Sequence, residues 1–474
     1  MLSLWLAAGH FASLRSIGRP AAGPVVAAVA AILLLAAVVL LHRGAGRDVH
    51  RRGARILDDG AAQRRTARLR LLRPDPPLTV AGVGLSPGDE AKHFKLIGTT
   101  GTGKSTAIRE LLAAALDRGD RAVVTDPDGG YLARFHDPGR GDVILNPFDP
   151  RSVQWDPFAE VHEPYDAEQL ASSLIPSTED ASGREWRGYA RTFLTAVVRR
   201  CHESGRPDAA ELWRLIAMAP SAELRPIVAG TPAQPFLEPE NARMFGSIRS
   251  VAASAAAALE HVQAQRARAF SVREWIGRGG GVLFLPYQAS QIAALRTVIA
   301  TWVRLAIFET MSREAAERRL WLIVDELDAL GAIDGLKDAL ARLRKFGGCC
   351  VLGFQSIAQV SNTYGAGEAQ TIVENCGNTL ILRCSASEHG GTSQFASRLI
   401  GEREVARRTT SRGRDGNGFP GGRSWRRSSQ ISEQRVTEAA VLASELEQLP
   451  DLTGYLKTAS SAAWLKVRLR HECH

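Results

Sequence analysis

No C-x-x-C pair occurs among the six cysteines of this 474-residue chain. That absence points away from zinc and disulfide frameworks and toward a reducing cytoplasm. Cys201, Cys349, Cys350, Cys376, Cys384 and Cys473 are scattered, and the adjacent Cys349 and Cys350 fall in an apolar, strand-like run as core thiols. Internal repeats are missing too, which excludes a solenoid array. Nor is there an acidic excess: 59 Lys and Arg stand against 50 Asp and Glu, a net charge of +9. This mild basic balance permits an anionic partner, nucleic acid or membrane, without selecting one. Arginines crowd residues 43–74 and 403–427, so the excess is concentrated in two segments.

Long apolar runs are equally scarce. One stretch, residues 21–41, carries no charge and is long enough to span a bilayer. No small-residue cleavage site follows it, which speaks against a removed signal peptide. Arg43, Arg47, Arg51, Arg52 and Arg55 follow instead, placing everything after residue 42 in the cytoplasm. Residues 2–14 form a shorter apolar stretch broken by His10, a marginal second span or an interfacial helix. Residues 1–42 thus read as a membrane anchor. Residues 43–76 read as a basic juxtamembrane linker lying on anionic lipid.

What is present is a phosphate-binding loop. Residues 98–105, Gly-Thr-Thr-Gly-Thr-Gly-Lys-Ser, fit G-x-x-x-x-G-K-[ST] between an apolar strand (94–97) and an Ala/Leu-rich helix (107–116). Gly98, Gly101 and Gly103 let the backbone N–H groups turn inward around phosphates. Thr99, Thr100, Thr102 and Thr106 complete the expected nucleotide contacts. Lys104 is placed to reach the β and γ phosphates of ATP, and the Ser105 hydroxyl to bind Mg²⁺. The helix N-terminus adds its positive end. Far downstream, Leu-Trp-Leu-Ile-Val runs into Asp325-Glu326. Asp325 suits the Mg²⁺ shell, and Glu326 suits the orientation or deprotonation of an attacking water.

Strand-like runs at 121–126 and 142–146 alternate with helices, predicting an α/β fold with a parallel-rich sheet. The P-loop and the acid pair lie much farther apart than a compact core needs. Residues 165–275 are helical in pattern and lack strand alternation, so they read as an all-α domain inserted between nucleotide-domain parts 77–164 and 276–474. Gln355, at the end of the buried run 349–354, is a candidate γ-phosphate sensor, because ligands sit at the C-terminal edge of such sheets. Residues 403–430 are Gly/Ser/Arg-rich without a period and are expected to form a flexible loop. Its arginines and Trp425 suit contact with a single strand or plain solvation.

Several blocks together resemble the type IV secretion coupling proteins, the TraD/VirD4-like conjugation ATPases. They are Asp126-Pro-Asp-Gly, the run from Asp142 through Asn146-Pro-Phe-Asp, Trp155-Asp-Pro-Phe, the run Gly348 to Gln359, Asn375-Cys-Gly, Leu382-Arg-Cys, and Leu449-Pro-Asp-Leu-Thr-Gly-Tyr. The resemblance covers roughly residues 77–465. It implies a RecA/FtsK-like P-loop NTPase carrying an inserted all-α domain and an N-terminal transmembrane anchor in the bacterial inner membrane. It implies a homohexamer that delivers relaxase-bound single-stranded DNA to a type IV secretion channel. It also implies that Arg344 acts as an arginine finger toward a neighbouring subunit, with Gln355 as the third-motif glutamine. Two other readings stay open: a nucleotide-gated receptor or adaptor without motor activity, and a coupling ATPase for protein effectors. A duplex DNA pump is disfavoured by the Asn-Pro-Phe-Asp and Leu-Pro-Asp-Leu-Thr-Gly-Tyr blocks.

Overall fold

Apolar runs that are buried on both sides must lie between two layers, and the central strands do. The computed structural model describes residues 49–71, 77–177, 181–205, 208–314, 318–387, 391–415 and 426–470. The anchor segments 2–14 and 21–41 lie outside them. Ten strands form the main sheet: β1 Ile56–Leu57, β2 Phe94–Ile97, β3 Arg121–Pro127, β4 Val143–Ile144, β5 Val282–Tyr287, β6 Leu320–Val324, β7 Gly348–Phe354, β8 Asn378–Ile381, β9 Thr453–Lys457 and β10 Trp464–Arg468. Their order is β1-β10-β9-β8-β2-β7-β6-β3-β5-β4. From β8 to β4 every pairing is parallel. The β8/β9 and β9/β10 pairings are antiparallel.

The period of two sorts side chains to opposite faces. In β6, Leu320, Leu322 and Val324 enter one core, and Trp321 and Ile323 the other. Strand β7 divides likewise, with Cys350, Leu352 and Phe354 on one side and Cys349 and Val351 on the other. The second face is covered by the helix Lys104–Asp117 through Ala107, Ile108, Leu111 and Leu112. The first face is covered by the helix Ile292–Met311.

Within residues 165–275 the chain runs in helices Asp166–Leu174, Ala181–Glu203, Ala209–Ala217, Ser221–Val228, Ala242–Ala255 and Ala258–Ala264. A short strand, Ala269–Phe270, then pairs with Gln154–Trp155. The apolar residues of these helices, such as Phe193 and Ile248, belong to the same core as the first sheet face. Glu160 helps fasten the region: it accepts from Trp155 Nε1 (3.0 Å), Val272 N (2.7 Å) and Arg273 N (3.0 Å).

Two segments differ from the sequence reading. Residues 403–430 were expected as a flexible loop, but Glu402–Asp415 and Arg426–Ala439 pair as a long antiparallel hairpin. With the strand Val49–Gly53 on its edge, it forms a separate compact unit. Composition hid it because its strands are charged rather than apolar. Arg403 and Arg407 both meet Glu438, at 2.9 and 2.6 Å, so opposite charges replace apolar pairs across the ladder. The basic linker 43–76 likewise contains β1 and a helix, Asp59–Leu71. Thr66 pins that helix, its hydroxyl donating to the Gly82 carbonyl (3.0 Å) and accepting from Gly84 N (2.8 Å). Arg65 pairs with buried Asp89 at 2.9 Å.

Candidate nucleotide site

Because β2, β7, β6 and β3 run parallel and adjacent, their C-terminal ends share one edge. Residues that follow these strands are gathered there although they lie far apart in the chain. The loop 98–103 leaves β2 with Gly101 at φ 76° and Gly103 at φ 115°. A side chain is also excluded at Gly103, where a Cβ would stand 2.8 Å from Leu452 Cδ2, and at Gly98, where it would meet Leu382 and Thr102 at 2.9 Å. Thr102 Oγ1 donates to Thr99 O at 2.7 Å, and Thr99 N donates to Arg383 O at 2.9 Å. The loop is therefore tied both within itself and to the end of β8. Lys104 is buried and donates to Gly98 O (2.6 Å) and Thr99 O (3.2 Å). Burial lowers its pKa below the ordinary lysine range, opposed by the charges of Asp325 and Glu326. Thr106 occupies the first turn of the helix.

The acid pair completes the arrangement. Ser105 Oγ donates to Asp325 Oδ2 at 2.7 Å, and Tyr131 Oη donates to the same oxygen at 2.8 Å. Asp325 Oδ1 is buried without a partner among the described residues. An unpartnered carboxylate oxygen beside a serine hydroxyl fits a hard cation, which takes oxygen ligands. Glu326 Oε1 accepts from Gln355 Nε2 at 3.2 Å, and Gln355 Oε1 accepts from Thr100 Oγ1 at 2.9 Å. Gln355 thus bridges the P-loop and the second acid. Burial raises the pKa of Glu326 above the ordinary value; the charges of Asp325 and Asp328 add to the shift, and the Gln355 bond and Lys104 oppose it.

One expected residue is not in this cluster. Arg344 lies in the turn Leu343–Phe346, before the start of β7, whereas Gln355 follows its end. Seven strand residues separate the two ends, about 23 Å at ~3.3 Å per residue. Conversely, the structure brings in residues that sequence reasoning did not assign. Tyr131 gave no local signal, since its contact with Asp325 spans 194 positions. Asp126 opens the block Asp126-Pro-Asp-Gly, to which the sequence assigned no role in the site. It accepts from Tyr131 N (3.0 Å) and Leu132 N (2.6 Å), so its oxygens anchor the turn that carries Tyr131. Burial pushes its pKa up to about 6, with those two N–H bonds opposing. Leu452 N donates to Thr102 O at 2.9 Å, bracing the loop from the Leu-Pro-Asp-Leu segment.

Residues 77–470 match the family model for the type IV secretion-system coupling protein DNA-binding domain. The chain is 29% identical over 413 residues to the coupling protein TraD of Escherichia coli strain K12, covering 84% of this chain and 55% of that protein. It therefore spans about half the length of this curated relative. Among solved structures, the unbound bacterial conjugative coupling protein TrwBdeltaN70 superposes with a TM-score of 0.78 at 33% identity, covering 89% of this chain and 93% of the other. The plasmid coupling protein TrwB in complex with ADP and Mg²⁺ gives 0.77 at 32% identity, covering 90% and 95%. A TrwB complex with a non-hydrolysable ATP analogue gives the same TM-score and identity. The mixed, mostly parallel sheet is the TrwB-like α/β fold. By sequence blocks, family model and fold, the chain belongs to the type IV secretion-system coupling proteins.

Proposed function

We propose that this chain is an inner-membrane-anchored ATPase that drives relaxase-bound single-stranded DNA into a type IV secretion channel. The observation that carries the reading is the set of bonds around Asp325: Ser105 of the P-loop and Tyr131 both donate to one oxygen, and the other is buried without a partner among the described residues. Bound ATP with Mg²⁺ supplies the phosphoanhydride and a cation that neutralises its oxygens. Lys104 exchanges the carbonyls of Gly98 and Thr99 for phosphate oxygens, while the P-loop backbone from Gly98 to Thr106 cradles the chain of phosphates. Ser105 and Asp325 would hold the cation. Glu326 takes the proton of the attacking water, and Gln355 fixes the orientation of Glu326. Arg344 serves the site of a neighbouring subunit in a hexamer. Residues 1–42 anchor the chain, and the helical segment 165–275 is inserted in a nucleotide domain made of 77–164 and 276–474.

Support for the ligand comes from TrwB, solved with ADP and Mg²⁺ and with an ATP analogue. The test uses the full chain in detergent and in conjugating cells. Wild-type protein is expected to hydrolyse ATP faster with single-stranded DNA, Lys104→Ala to lose nucleotide binding, and Glu326→Gln to bind ATP without turnover. Normal DNA transfer by Lys104→Ala at matched expression would defeat the proposal. Transfer supported by Glu326→Gln would replace the motor with a nucleotide-gated receptor.

A further inference from the structure

A second concavity lies apart from the nucleotide site. A cleft of about 1220 Å³ opens between the helices of residues 165–275 and the elements that follow β6 and β7. Its helical side presents Arg184, Trp186 and Arg187 from Ala181–Glu203, and Ser247 and Ser254 from Ala242–Ala255. Arg296, exposed on Ile292–Met311, also lines it. Two carboxylates share it, Asp334 and Glu368, and Asp334 already faces Arg304 at 3.4 Å. Among the described lining residues, three arginines stand against two carboxylates.

Trp186 is half-buried and braced edge-to-face by Tyr189 (6.0 Å, 86°), which in turn packs on Phe236 at 5.4 Å. A fixed aromatic beside arginines and hydroxyls is the combination that tracks a phosphate backbone and stacks bases. An acidic peptide needs the arginines alone.

The other wall leads back to the nucleotide. It consists of Leu330–Asp334, which begins four residues after Glu326, and of the end of the helix Ile357–Tyr364, which begins two residues after Gln355. These segments are joined twice. At the nucleotide end, Gln355 Nε2 donates to Glu326. At the cleft end, the buried Tyr364 hydroxyl accepts from Ile333 N (3.2 Å) and donates to Gly331 O (3.4 Å). The two segments and two links form a closed ring, a contiguous route from Glu326 and Gln355 to the cleft wall.

We propose that this cleft binds the backbone of single-stranded DNA, and that Tyr364 is the positioning residue through which strand and nucleotide sense each other. The proposal rests on the DNA-coupling function above and names where the strand is felt.

The test uses the full chain in detergent, a fluorescent oligonucleotide and a non-hydrolysable ATP analogue, so it does not depend on turnover. Arg184→Glu with Arg296→Glu is expected to weaken oligonucleotide binding at least tenfold. It should also flatten the slope of log affinity against log salt by about 1.4, the loss of two single-strand phosphate contacts. Analogue affinity without DNA should stay unchanged. In wild type the oligonucleotide should change analogue affinity at least threefold, and the analogue should change oligonucleotide affinity by the same factor. Tyr364→Phe fills the same space, keeps both separate affinities and reduces that factor to one. An unchanged oligonucleotide affinity and salt slope in the double variant overturns the cleft assignment, as does poly-glutamate binding that depends on these arginines where the oligonucleotide's does not. Equal coupling in wild type and Tyr364→Phe, or none in either, overturns the role of Tyr364. Absent hydrolysis in wild type would defeat the motor alone, leaving these binding results to decide the cleft.

Discussion

Two carboxylates side by side do not share one chemistry when their hydrogen bonds differ. Asp325 is held by Ser105 and Tyr131, while Glu326 is held by Gln355 and has its pKa raised, chiefly by burial. A base with a raised pKa is protonated, and inactive, at a pH where an ordinary glutamate still works. Hydrolysis should therefore fall as pH drops through that raised value, above the usual glutamate range. Asp328→Asn removes a repulsive neighbour and should shift this acid limb to lower pH in a kcat profile. An unmoved limb would detach Glu326 from it. Tyr131→Phe removes one donor to Asp325 and should raise the Mg²⁺ concentration needed for tight nucleotide binding by about tenfold, read by Mg²⁺ titration. Tyr131 illustrates what the sequence hides. Lys104, Ser105 and Asp325 are readable because each sits in a local motif. Tyr131 matters only because β3 and β6 pair in parallel and bring its turn beside Asp325.

At the scale of elements, the site is as good as the fit of β6 to β7. After Val324 the chain crosses the end of β7, with Leu327 N donating to Gly353 O at 2.9 Å. A Cβ at Gly353 would stand 2.2 Å from the Asp325 carbonyl oxygen, inside a strand that is buried throughout. Gly353→Ala must push the acid pair away from the P-loop. Overpacking of this kind costs ~1–3 kcal/mol, visible as a lower Tm, and kcat should fall further than stability alone explains. Wild-type kcat with a lowered Tm would show that the pair tolerates the shift. The same scale explains the uneven legibility of the fold. Strands buried on both faces, such as β6 and β7, announce themselves as apolar runs. The hairpin Glu402–Asp415 and Arg426–Ala439 and the helix Asp59–Leu71 do not, because their strands and helix carry charged residues whose pairs and hydrogen bonds, such as Arg403–Glu438, Arg65–Asp89 and those of Thr66, leave no apolar period in the sequence.

At the scale of the whole molecule, the placement of Arg344 sets it apart from the nucleotide site of its own chain. It stands at the N-terminal end of β7, and Gln355 at the other end, so a single chain does not carry both to one nucleotide. In the proposed motor, Arg344 acts on the site of another copy. Arg344→Ala then leaves its own P-loop and acid pair intact but deprives a neighbour. Glu326→Gln destroys its own site but still offers Arg344. Each variant alone should lose most of its hydrolysis, since a missing arginine finger costs ~10³-fold or more. Mixed, they place intact sites of the first beside arginines of the second, and hydrolysis should return to a fraction set by the mixing ratio. The rate of wild type should also rise more steeply than linearly with protein concentration. Co-assembly of the two variants without any recovery would return Arg344 to a purely local role at the end of its turn, and with it the shared-site ring would lose its support.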